Sequence, residues 1–134
     1  MTDRVALLAA LFAAAAAPAA AEASTAKPVA VLLCAAPQDA MCRALVGALD
    51  RIGRTVEVVP PGGERRVAPA ATTLSFVEED RSAHHIAGRL VWTGADGTAG
   101  RGETLHFEVS DAAMTDAMLG NFADALVHQT AFPA

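Results

Sequence analysis

The chain has 134 residues, of which 53% are hydrophobic and only 4% aromatic, with a formal net charge of −5. That length bounds it to one domain. An acidic balance without a basic stripe excludes the electrostatic footprint of a nucleic-acid binder and the polybasic patch of an anionic-lipid binder.

Residues 1–21 read as a cleavable secretory signal peptide. Arg4 supplies a short basic region, 5–17 is an unbroken apolar run, Pro18 ends it, and Ala19-Ala20-Ala21 offers the small side chains that signal peptidase needs. The cut is expected after Ala21, with Ala23 as the alternative. The apolar run is too short to cross about 30 Å of hydrocarbon as a helix. No cysteine stands near the cleavage region to carry a lipid. The expected product is therefore periplasmic or secreted, without stable membrane insertion. Cleavage removes Asp3 and Arg4 together, so the net charge is unchanged. Residues 22–27 are expected to be a disordered lead-in, and 28–134 a single small domain.

The first element of that domain is 29–35 (VAVLLCA), apolar on both faces as a central strand is. Pro37 is expected at the first position of a helix, in which Met41, Leu45, Ala48, Leu49 and Ile52 recur on one face. Arg51 suits the last turn and Gly53 the stop. Residues 55–59 (TVEVV) make the next strand, which completes a βαβ candidate. Cys34 and Cys42, an even pair in an exported chain, predict a disulfide. Residues 60–71, rich in proline and glycine, read as a loop in which Arg65-Arg66 forms a solvated tip.

The second half alternates with period two over 73–79, 84–93 and 104–110, the pattern of a half-buried antiparallel meander. A loop near 80–83 is expected to pair Leu74 with Leu90 and Phe76 with Gly88. For the second hairpin, Asp96-Gly97 favours a type I′ turn, which places His85 opposite Glu108 and Ile86 opposite Phe107. A longer loop over 94–103 would instead set Arg89 opposite Glu108, and the Asp-Gly turn is preferred. Thr115 then caps a helix whose stripe is Met118, Leu119, Phe122, Leu126 and Val127. The fold class is α/β (α+β): a two-layer sandwich in the order β-α-β-β-β-β-α, with both helices on one sheet face.

Candidate chemistry is sparse. His84 and His85 are neighbours in a strand, so they point to opposite faces. His85, His106 and an acid such as Glu79 or Glu108 would have to converge on the outer face to hold a metal. Glu78-Glu79-Asp80 reads as a solvated turn, and the glycine-rich 94–102 as a hairpin tip without a phosphate-binding context. His128 is placed as a dipole-compatible residue late in the last helix. Ser75, Ser82 and Ser110 lack a nucleophile elbow. No catalytic residue, metal site or cofactor is assigned, and no enzyme class follows. The expected function is a non-catalytic periplasmic binding or envelope-assembly module with an envelope protein as partner. Its binding face would be His85, Arg89, His106 and Glu108, interspersed with Val77 and Val91. The alternative is a metal-binding or hydrolytic protein using His85 and His106.

Overall fold

A computed structural model describes residues 29–62 and 71–133. The signal peptide, its cleavage position, the lead-in over 22–27 and the Arg65-Arg66 loop tip lie outside the described residues. In chain order the elements are β1 (Val29–Leu33), α1 (Ala40–Arg51), β2 (Thr55–Val59), β3 (Thr72–Arg81), β4 (His85–Thr93), β5 (Ala99–Arg101), β6 (Leu105–Glu108) and α2 (Asp116–Gln129). The sheet runs β2-β1-β3-β4, and β5 and β6 both pair with β4. β1, β2 and β3 are mutually parallel, whereas β4 reverses direction.

β1 is the central strand that its two-faced apolar composition implies. Ala30 and Leu32 join the main core, while Val31 on the opposite face is 0% exposed and clusters with Val59 and Ala71. Both helices lie over the first of these faces. Met41, Leu45 and Leu49 from α1 and Leu119, Phe122 and Leu126 from α2 share one core with Leu74, Ile86 and Leu90. Each such aliphatic side chain stabilises the fold by about 1.5–3 kcal/mol on burial.

The helix ends follow local chemistry. α1 begins three residues later than its proline suggests. Pro37 sits in a turn closed by the Asp39 amide donating to the Ala36 carbonyl at 3.0 Å, and Asp39 is the cap, its carboxylate accepting from the Met41 amide at 3.3 Å. A start at Pro37 would make Ala36 the cap, and alanine has no side-chain acceptor. At the other end, Gly53 has φ +86°. Its amide donates to Asp50 and the Arg54 amide to Leu49, which is a Schellman closure. Thr115 caps α2 as expected, accepting from the Met118 amide at 3.2 Å.

Beyond Gly53, Arg54 is 8% exposed, and burial pushes its pKa below the ordinary guanidinium value. The guanidinium lies 4.5 Å over the Phe132 ring and donates to the Pro133 carbonyl, tying the tail to the start of β2.

The first hairpin differs from expectation. Leu74 pairs with Trp92, Phe76 with Leu90 and Glu78 with Gly88, two residues away from the predicted register. The turn is shorter than the predicted 80–83 loop. Arg81 pairs with Ile86, and the Ser82 amide donates to the His85 carbonyl at 2.8 Å, leaving Ala83-His84 at the tip. Continued without interruption, that register would turn Leu74 and Phe76 away from the helices. A bulge between Glu78 and Asp80 absorbs one residue and restores the apolar face. The ring-over-glycine contact survives: Phe76 covers Gly88 from a diagonal position.

In the second hairpin His85 pairs with Glu108 and Ile86 with Phe107, the preferred expectation. The turn is not type I′, because Gly97 alone of the central pair has a positive φ. The Asp96 carboxylate instead accepts from the Thr98 amide at 2.9 Å, a bond that holds the Asp96 pKa below its ordinary value. The third meander strand is also split into β5 and β6. Between them Gly102 packs against Thr130, and the Glu103 carbonyl accepts from the Gln129 side chain, so the end of α2 docks at the break.

The predicted disulfide is present: Cys34 and Cys42 are bonded with Cα atoms 6.2 Å apart, joining the end of β1 to the first turn of α1. Reduction, or replacement of both by serine, should lower stability by about 2.5 kcal/mol, the loop-closure entropy of so short a ring. Urea unfolding of oxidised and reduced protein measures it. Gly88→Ala should cost about 1–3 kcal/mol, because a Cβ there would sit 2.6 Å from the Val77 carbonyl oxygen.

Candidate functional site

Paired residues on neighbouring strands share a face, so the register assigns the face opposite the helices. It carries Val29, Val31 and Leu33 from β1, then Thr73, Ser75 and Val77 from β3. β4 contributes His85, Ala87, Arg89 and Val91, and β6 contributes His106 and Glu108. His85, Arg89, His106 and Glu108 therefore do lie together, with Val77 directly opposite Arg89 and Val91 opposite Ser75.

Two acids join this group, and the reason is the bulge. Alternation alone would send Glu79 and Asp80 to opposite faces. Asp80 is instead paired with Ala87, and both carboxylates reach the outer side. Arg89 Nη1 donates to Glu79 Oε1 at 2.7 Å, and His85 Nδ1 meets Asp80 Oδ2 at 2.9 Å. The His85 and His106 rings stand 5.9 Å apart, tilted by 31°. Beneath them Ala87 is 1% exposed. The acidic triplet is exposed, as its sequence suggests, but it lies within β3 and not in a turn. Glu78 stays on the helix side and meets Arg81, whereas Glu79 and Asp80 anchor the outer cluster.

The Asp80 contact engages Nδ1 of His85. Arg89 Nε is buried and lacks a hydrogen-bond partner among the described residues. The half-buried guanidinium is therefore restrained by one carboxylate on one of its nitrogens. Among the described residues, no three His, Cys, Asp or Glu side chains are placed to hold a metal ion. His84 is separate, its Nδ1 2.9 Å from the Ala112 carbonyl, and His128 contacts the Asp124 carbonyl at the end of α2. Ser82 Oγ accepts from the His84 amide and so belongs to the turn. What the outer face offers is an array of hydrogen-bonding groups of both signs, set between apolar residues.

Compared with known proteins, the chain matches no family and no curated protein sequence.

Deletion of Glu79 tests the bulge. A regular strand would keep Asp80 opposite Ala87 and Arg81 opposite Ile86, so the chain should still fold. The loss should be about 1 kcal/mol, the size of a partly exposed ion pair. The His85–Asp80 contact, followed by the imidazole nitrogen shifts in NMR, should persist, and loss of cooperative unfolding would contradict this account.

Proposed function

We propose that this chain is an exported, non-catalytic binding or assembly module that recognises a protein of the cell envelope through the outer face of its sheet. Export rests on the order of basic, apolar and small residues at the N-terminus, and it agrees with a disulfide that persists in an oxidising compartment. Among the described residues no helix is long and apolar enough to cross a membrane.

The observation that carries the binding role is the arrangement around the bulge. His85 and Arg89 are half-buried, each held by one acid, and they stand among Val77, Val91 and Ala87 on the face that neither helix covers. Charged pairs of both signs interspersed with apolar side chains suit a protein surface, where polar groups set register and apolar ones lose water.

A photo-crosslinking amino acid at Val77 or Val91 should capture one discrete envelope protein, while the same group at Ala44, on the helix layer, should not. Arg89→Ala should remove the crosslink. The exported protein should begin at Glu22 by N-terminal sequencing. Equal capture from both faces would overturn the assignment of the surface, and an uncleaved cytoplasmic product would overturn export.

A further inference from the structure

A second feature stands apart from the outer face. A cavity of about 280 Å³ opens beside the carboxyl end of β1 and the second half of β3, under the first turn of α1. Its floor is apolar: Met41, Leu45, Phe76 and the Cys34–Cys42 disulfide. Its rim is charged, with Asp39, Glu78 and Arg81.

The cavity lies where β3 runs on past the end of β1: Leu33 pairs with Ser75, and β3 continues to Arg81. β1 leaves the sheet through α1 toward β2, and β3 leaves through its hairpin toward β4, on the opposite side. The disulfide ties two walls of this crevice, β1 and α1, so the opening is restrained before anything enters it.

The charges select the ligand. Arg81 Nη1 donates to Asp39 at 3.2 Å and to Glu78 at 3.3 Å. One guanidinium therefore serves two carboxylates and leaves one negative charge. The positive end of α1 amounts to roughly half a charge, which leaves the rim negative. The floor is built for a polarisable or aromatic group, with two sulfur sites and a ring. The volume lies just below the range of about 300–1,000 Å³ usual for ligand pockets, which restricts the occupant to one side-chain-sized body.

We infer that this cavity is a small-ligand site for a primary ammonium compound carrying one apolar group. The apolar group sits on Phe76, Met41 and the disulfide, and the ammonium donates to Asp39 and Glu78.

An NMR titration of the oxidised protein tests this with phenethylammonium and 3-phenylpropionate, which differ in the sign of the head group. Phenethylammonium should shift the amides of Cys34, Met41 and Phe76 saturably. It should bind about tenfold more tightly than 3-phenylpropionate, as one near-surface charge contact implies. Asp39→Asn with Glu78→Gln should reverse that preference, and asparagine preserves the helix cap. Ala36→Trp, at the exposed mouth, should abolish the response to both probes while the fold is retained. Absence of saturable shifts at those three amides, or an unchanged preference in the double variant, would overturn the inference. So would shifts confined to outer-face amides such as Ala87, and that outcome would leave the proposed binding face standing.

Discussion

One constraint governs this molecule: the helices cover a single face of the sheet, so β3, β4 and β6 must deliver their large side chains to that face, while β1 is apolar on both. In β4 and β6 plain alternation does this, with Ile86, Leu90 and Phe107 packed inward. β3 cannot, because its turn to β4 is too short for its pattern. The Ala83-His84 tip sets one parity and the Leu74–Phe76 pair demands the other. The extra residue at Glu79 reconciles them. Burial of Leu74 and of the Phe76 ring, which also packs edge-on against Phe122 at 6.2 Å, outweighs the ladder bond that a bulge gives up.

The same reconciliation produces the chemistry. A bulge leaves two successive residues on one side of a strand. Here those residues are both acidic, and both find cationic or imidazole partners on β4. Three consecutive carboxylates, Glu78, Glu79 and Asp80, are thereby divided between two surfaces. Glu78 faces the crevice and shares Arg81 with the α1 cap, while the other two organise the outer face. With the same residues and turn but no bulge, Glu78 and Glu79 would exchange faces, and neither surface would carry this charge pattern.

Elements whose signal is local were legible in the sequence. The Thr115 cap, the stop at Gly53 and the pairing of Cys34 with Cys42 depend on residues within a turn or two of one another. The outer-face grouping of His85, Arg89, His106 and Glu108 was legible too, since period-two alternation carries it. What escaped was whatever depends on a count between distant residues. A shift of two preserves every apolar contact class, so alternation could not choose between Leu74 opposite Leu90 and Leu74 opposite Trp92. The bulge has no composition signature, and Asp80 was hidden with it. Pro37 misled because proline serves a turn as well as a first helical position, and the choice was made by the carboxylate two residues later. The break between β5 and β6 is set by Thr130 and Gln129, far along the chain.

The disulfide links these levels. It closes the connection between β1 and α1 where three features meet: the end of the central strand, the capped first turn, and the Asp39–Arg81 contact that reaches across to β3. Without it, Cys34 and Ala35 would be held chiefly by the Cys34 amide donating to Val59. The α1 cap could then shift relative to β3 at little cost, and the rim charges with it. A small domain can build its core from aliphatic burial alone, and this one has an apolar cluster on each face of β1. The covalent link is therefore best understood as a positional restraint. It holds Asp39 at the distance from Arg81 at which one guanidinium can bridge two carboxylates, and so keeps the crevice open on a defined side.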